Sequence, residues 1–227
     1  MYLLGWFVMA DDIILTPWYL VRHAPVKGVR KGIYNDADSG VLLPLVAEIR
    51  RLADRLPADA LWYVSPLLRT RQTAEALWRE LSKPGDVSYV EALREQNFGD
   101  WQGLSFEEIW REIKGFPAHN WSLLAAETTP PNGESFQDVR TRVAKFLAKN
   151  KAIEPKRPRV LVTHAGVIRA MIGVTLEMEP NQAQSFGVDT FSVSLLLHQT
   201  GKGKGGAWRL DSLNRTYGRD DRHEKPE

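Results

Sequence analysis

The chain has 227 residues, of which 43% are apolar, enough for one large α/β core. Its 30 Lys and Arg nearly balance 28 Asp and Glu, for a net +2, which argues against a general nucleic-acid binder with a basic face. It has no cysteine, which excludes disulfides, thiolate metal sites and cysteine nucleophiles.

The first ten residues, MYLLGWFVMA, are apolar but lack the basic start of a secretory signal and are too short to span a membrane. We expect residues 1–16 to be a flexible lead, with Met9 as the natural start, and the protein to be cytoplasmic with no membrane contact. Trp18-Tyr19-Leu20-Val21 is rich in strand formers and stops at Arg22-His23. Residues 41–56 repeat apolar side chains at helical spacing. Leu61-Trp62-Tyr63-Val64 predicts a second strand, and Ser65-Pro66 an N-cap and first-turn proline opening a helix through Leu81. Residues 87–93 form a weaker strand candidate. Ser105-x-x-Glu108 is a capping box before Ile109 and Trp110. Residues 134–149 read as a helix, 159–163 as a strand ending at His164, and 166–176 as an apolar helix. Residues 191–198 and 207–214 flank a Gly/Lys turn and predict an antiparallel hairpin. The alternation implies a three-layer α/β/α sandwich with a mainly parallel sheet and one antiparallel edge strand. One domain is expected over residues 17–216, followed by a disordered charged tail, 217–227.

In open α/β sheets ligands bind beyond the carboxyl ends of the strands. Those ends here carry Arg22 and His23, then Arg69, then Arg94 and Glu95, then His164. Cations for phosphate oxygens, a nitrogen nucleophile and a proton donor would meet on one rim, a set suited to phosphoryl transfer. Taken singly, each has a plainer role. Arg69 could pair with Glu75 or Glu95, Glu95 could be a loop carboxylate, and His119, His198 and His223 are expected to be structural or solvent-exposed.

Five blocks resemble the histidine phosphatase superfamily, also called phosphoglycerate-mutase-like. Tyr19-Leu20-Val21-Arg22-His23-Ala24 is similar to its first strand and Arg-His-Gly motif. The run from Ser65 to Ala74, SPLLRTRQTA, is similar to its second motif, and that from Leu93 to Gly103, LREQNFGDWQG, to its acid-bearing loop. Gly133-Glu134-Ser135-Phe136 resembles the helix start after the variable insertion, and Val162-Thr163-His164-Ala165-Gly166 the second histidine motif. The resemblance runs from about Trp18 to Asn214. Ala24 stands where the family usually has glycine, a change of one methyl that the phosphatase branch also shows. Pro25-Val26 replaces the polar pair typical of mutases. The Arg-His-Ala-Pro start is similar to α-ribazole phosphatase-like proteins.

The resemblance implies a metal- and cofactor-independent phosphomonoesterase that transfers the phosphoryl group of a small organic phosphate to His23. Arg22, Arg69, His164 and Ala165 would bind the phosphate, and Glu95 would be the general acid and then the base. Asp100, five residues along the same loop, is the next candidate acid. Residues 26–38 and 109–131, with Lys27, Arg30, Lys31, Tyr34, Trp110, Phe116, His119 and Trp121, are expected to cover the pocket or to form a satellite core. A phosphoglycerate mutase and a non-catalytic phosphate-binding protein are the alternatives. The oligomeric state is left open, a homodimer included.

Overall fold

The computed structural model describes residues 13–28, 33, 39–81, 85–201 and 205–218. Six strands form one sheet: β1 (Ile14–Arg22), β2 (Leu61–Val64), β3 (Val87–Tyr89), β4 (Arg159–Thr163), β5 (Val193–Thr200) and β6 (Trp208–Arg215), in the order β3-β2-β4-β1-β5-β6. The first four are mutually parallel, and β5 is antiparallel to β1. The antiparallel strand lies one place in from the edge, because its hairpin partner β6 takes the edge itself.

Residues alternate across this sheet, and each face finds its own helices. Trp18, Leu20, Leu61, Tyr63 and Leu161 point to one side. There they bury against α4 (Phe136–Asn150) and α5 (Ala165–Thr175). Val21, Trp62, Val64, Val160 and Val162 point to the other side, against α1 (Val46–Ala53) and α2 (Leu68–Glu80). Trp18 and Trp62 are fully buried on opposite faces, each edge-on to another aromatic, Phe146 at 6.4 Å and Trp78 at 5.5 Å. A third, smaller cluster of Trp101, Ile109, Ile113 and Leu124 lies under α3 (Phe106–Glu112).

Several boundaries differ from expectation, each for a local reason. The expected lead ends earlier than Thr16, since β1 begins at Ile14 and Ile14–Thr16 pair with Thr200, Gln199 and His198. Pro17 masked this in the sequence. The His23 amide donates to Thr163 on the β4 side, and strand alternation sends position 17 the same way. The first β4 pair is Trp18 with Arg159, so the proline removes no ladder bond. Residues 1–12 lie outside the described residues. At the other end Tyr217 packs on the Trp62 face and its carbonyl accepts from Arg51 Nε at 2.8 Å, so the domain extends past the expected boundary. Residues 219–227 are not described.

The helix expected from residue 41 starts at Val46. Pro44 disfavours helical backbone before it, and Val41 instead bridges Val26. Ser65 is not an N-cap. It stays in the sheet ladder, its amide donating to Val162, and α2 starts at Leu68 with Leu67 as N-cap. The weak third strand is three residues long and passes into a 3₁₀ turn, Glu91–Leu93. The Ser105/Glu108 capping box forms, and a second one, Ser135 with Asp138, opens α4. Among the described residues no helix is long and apolar enough to cross a membrane.

Leu161 is fully buried at the centre of the sheet, whereas Leu42 is 55% exposed. Leu161→Ala should lower the unfolding free energy by about 2–5 kcal/mol in urea titrations. Leu42→Ala should stay within about 0.5 kcal/mol of the parent. Similar losses for both would mean that the sheet centre is not where stability resides.

Candidate active site

The parallel strands deliver their carboxyl ends to one rim, and the expected residues converge there. His23 directly follows β1, its amide donating to Thr163 at 3.0 Å and its carbonyl accepting from Phe191 at 3.1 Å. His164 directly follows β4 and is the N-cap residue of α5. The two imidazoles lie 5.1 Å apart between centroids, and both are buried. Arg22 and Arg69 line the cleft beside them. Arg22 donates to the Val188 carbonyl, and Arg69, on the first turn of α2, is 4% exposed.

A hydrogen bond assigns the proton on the His23 ring. His23 Nδ1 lies 2.7 Å from the Ala24 carbonyl, an acceptor only, so Nδ1 carries the hydrogen and Nε2 keeps its lone pair. His164 Nε2 lies 2.8 Å from Ser65 Oγ. If the hydroxyl donates, Nδ1 of His164 carries the hydrogen, and that buried atom has no partner among the described residues. Burial holds the His23 imidazole down at about 3. The Ala24 carbonyl opposes this, and the Arg69 and Arg22 charges add to it. Burial, then His23, Arg69, Arg142 and Arg22, push His164 well below the ordinary range. Both rings are neutral at pH 7.

Motif residues that sequence reasoning passed over hold this arrangement in place. Thr73 Oγ1 accepts from the Ala24 amide at 2.9 Å and donates to the Arg69 carbonyl at 2.7 Å, tying the nucleophile loop to α2. Gln72 accepts from the Val41 amide at 2.9 Å. Thr163 Oγ1 donates to the Leu93 carbonyl at 2.7 Å, fixing the start of the acid-bearing loop to β4. Hydroxyl and amide spacing within a motif is the one sequence signal that marks such groups.

Glu95 is half-buried on the cleft wall, and its Oε1 accepts from the Gln96 amide at 3.1 Å. A methyl group on Gly166 would lie 2.6 Å from that oxygen, so the glycine allows the carboxylate to approach the first turn of α5. The loop is clamped from α4. Arg142 forks onto both Glu134 oxygens, at 2.9 and 3.1 Å, and donates to the carbonyls of Ala92 and Arg94. Glu134 in turn accepts from the Asn97 amide at 2.9 Å. Gly99, at φ +53°, would bring a methyl to 1.9 Å from the Pro131 carbonyl, so no other residue fits there. Asp100 is exposed, bound to Asn132 Nδ2 at 3.0 Å, and does not line the cleft.

The cleft has a volume of about 890 Å³. Arg169 also lines it, half-buried and donating to the Phe186 carbonyl at 2.8 Å, a cation the motif reading did not single out. Of the residues expected to cover it, Trp121 lines the cleft, whereas Trp110 is 58% exposed and does not. His119 does not line the cleft; its Nε2 donates to the Asn181 carbonyl across to the 180–183 helix, and its Nδ1 accepts from the Trp121 amide. His198 is buried against Trp208 at the opposite end of β1 from His23. Arg30, Lys31, Tyr34 and His223 lie outside the described residues.

The neutral histidines have a thermodynamic signature. The unfolded value is about 6.5, so as pH falls below it the unfolded chain takes up protons that the native chain refuses. Stability is untouched by these groups above pH 7 and declines below 6.5. For His23 the loss by pH 5 is about 2 kcal/mol. We expect the urea midpoint to fall between pH 7 and 5, and to fall less in His23→Asn by about that amount. Equal declines in the two proteins would mean that native His23 accepts a proton.

Comparison with known proteins agrees with this geometry. Residues 18–215 match the family model of the histidine phosphatase superfamily, branch 1. A 2,3-bisphosphoglycerate-dependent phosphoglycerate mutase of Brucella canis is 30% identical over 183 residues, spanning 74% of this chain and 87% of the mutase. An adenosylcobalamin/alpha-ribazole phosphatase of Escherichia coli is 25% identical over 177 residues, 75% of this chain and 84% of that one. Among solved structures, mycobacterial hydrolase 2 matches with a TM-score of 0.71 at 27% identity, covering 90% of this chain and 93% of the other. A rim that brings together two neutral histidines, the half-buried Arg22, the buried Arg69 and the Glu95 carboxylate thus sits in a chain that belongs to the histidine phosphatase superfamily.

Proposed function

We propose that the protein is a metal-independent phosphomonoesterase that works through a phosphohistidine on His23. The observation that carries this reading is the His23 ring itself, with Nδ1 committed to the Ala24 carbonyl and Nε2 left with a lone pair. That nitrogen attacks phosphorus. Arg22, Arg69, the free Nδ1–H of His164 and the Ala165 amide at the start of α5 take the phosphoryl oxygens. Glu95 gives a proton to the departing alkoxide, and the product alcohol leaves. Water then attacks the phosphohistidine, its proton passing to Glu95, and the P–N bond breaks to release inorganic phosphate and free His23.

The mutase relative supports a second reading, in which the phosphoryl group is returned to an organic acceptor. Hydrolysis is favoured by the segment after the nucleophile. Pro25 and Val26 are taken up in backbone pairing, Pro25 O with the Leu42 amide at 2.7 Å and Val26 bridging Val41. They offer no polar side chain to an acceptor. α-Ribazole phosphate is one substrate to test on the strength of the phosphatase relative.

His23→Ala should fold normally and release no phosphate above background from any phosphomonoester, and no acid-labile phosphoenzyme should be trapped by rapid quench. Full turnover by the folded variant would remove the phosphohistidine mechanism.

Glu95→Gln should slow phosphoenzyme formation from alkyl phosphates by about 10²–10⁴-fold and from p-nitrophenyl phosphate far less. An alkoxide needs a proton to leave, and a nitrophenolate does not. Rapid quench isolates this first step from the second, in which Glu95 acts as base. Equal slowing for both substrates would show that Glu95 is not the acid.

A further inference from the structure

The cleft is chemically divided. Its lining holds Arg22 and Arg69, which lie beside His23, together with the apolar side chains of Ile33, Leu67, Phe98, Phe106, Trp121 and Leu123. Trp121 is 72% exposed and Phe106 44% exposed. A tryptophan that far out of the core is unusual, because its ring gives up a large burial gain. Looseness of the backbone does not account for it. The Trp121 amide donates to His119 Nδ1 at 3.1 Å, and His119 Nε2 donates to the Asn181 carbonyl at 3.0 Å. Ser122 Oγ donates to Gln184 at 2.8 Å, and the Ala126 amide to Asn181 Oδ1 at 2.8 Å. The loop is pinned onto α6 (Pro180–Ala183) and the residue that follows it, and it holds the indole at the cleft with its surface open.

The cations fix where a phosphate goes, so the occupant of the apolar side is the organic part of the same molecule. Against the Leu, Ile and Phe side chains themselves the hydroxyls and carboxylate of a sugar acid or polyol find no partner. The open indole of Trp121 offers a flat face, which favours a flat partner. The Asn97 and Gln102 amides line the same cleft and can meet ring heteroatoms or hydroxyls.

We propose that the cleft selects phosphomonoesters whose leaving group carries an aromatic or heteroaromatic ring stacked on Trp121. This rests on the phosphomonoesterase reading. Trp121 is a specificity residue that touches the leaving group and not the phosphate.

The test compares the full-length protein with Trp121→Ala, Trp121→Phe and Trp110→Ala on phenyl phosphate, n-hexyl phosphate and glycerol 2-phosphate. Trp121 is bonded through its backbone and its ring is exposed, so the alanine variant keeps the loop. For Trp121→Ala we expect kcat/KM on phenyl phosphate to fall roughly tenfold, mostly through KM, with glycerol 2-phosphate unchanged. Trp121→Phe should recover most of the loss, and Trp110→Ala should match the parent. An equal fall on phenyl and glycerol phosphates, or no fall on either, overturns the proposal. An equal fall on hexyl and phenyl phosphates overturns it too, since the wall then reads apolar bulk. If the parent hydrolyses none of these esters, calorimetric binding of phenylphosphonate and methylphosphonate decides the point without turnover. A phenyl preference lost in Trp121→Ala supports the proposal, and equal affinity in the parent ends it.

Discussion

A buried imidazole beside two guanidiniums stays unprotonated, and the placement of every other group at this rim follows from that constraint. His23 is held down at about 3 by burial and by Arg69 and Arg22, and His164 by burial and the same charges. Guanidiniums held this close to one another repel, so the rest of the fold must keep the rim from relaxing. The sheet ladder fixes His23 through its backbone, α5 fixes His164 as its N-cap, α2 fixes the loop after His23 through Thr73, and α4 fixes the Glu95 loop through Arg142.

Much of this was legible in the sequence, because strand ends are. Arg22-His23, Glu95 and His164 each follow a run of β-formers, and a parallel sheet sends such residues to one edge. The second motif was legible as a block and misread in detail. Ser65 followed by Pro66 has the form of a helix start, yet the hydroxyl is used by His164, a residue ninety-nine positions away. Local rules cannot see a partner at that distance. Pro44 and Pro17 show the same limit from two sides. One shortens a helix that periodicity extended, and the other sits inside a strand because the ladder on its side has not yet begun. The tryptophans could be sorted only by the structure. Trp101, Trp110 and Trp121 fall within twenty-one residues of one another, and they end in a satellite core, on the outer surface and at the cleft.

Within the superfamily the chain is similar to both a mutase and a phosphatase. Above the rim the chain after His23 is spent on backbone pairing, and apolar residues of and around α3 line the cleft. Such loop segments can vary while the sheet edge stays constant.

The order of strands has a consequence for how the molecule is made. Among the described elements β1 comes first, but its neighbours are β4 and β5, from the last third of the chain. Until residue 159 and beyond are synthesised, its Trp-Tyr-Leu-Val stretch has neither edge paired, and Arg22 and His23 have no companion histidine. β2 is in a similar position, lacking β4. Closing the sheet requires long loops to be drawn together at once, which is slow and leaves apolar strand exposed meanwhile. A fragment that stops before residue 164 lacks the second histidine, so the rim is assembled only once the last third of the chain has been made.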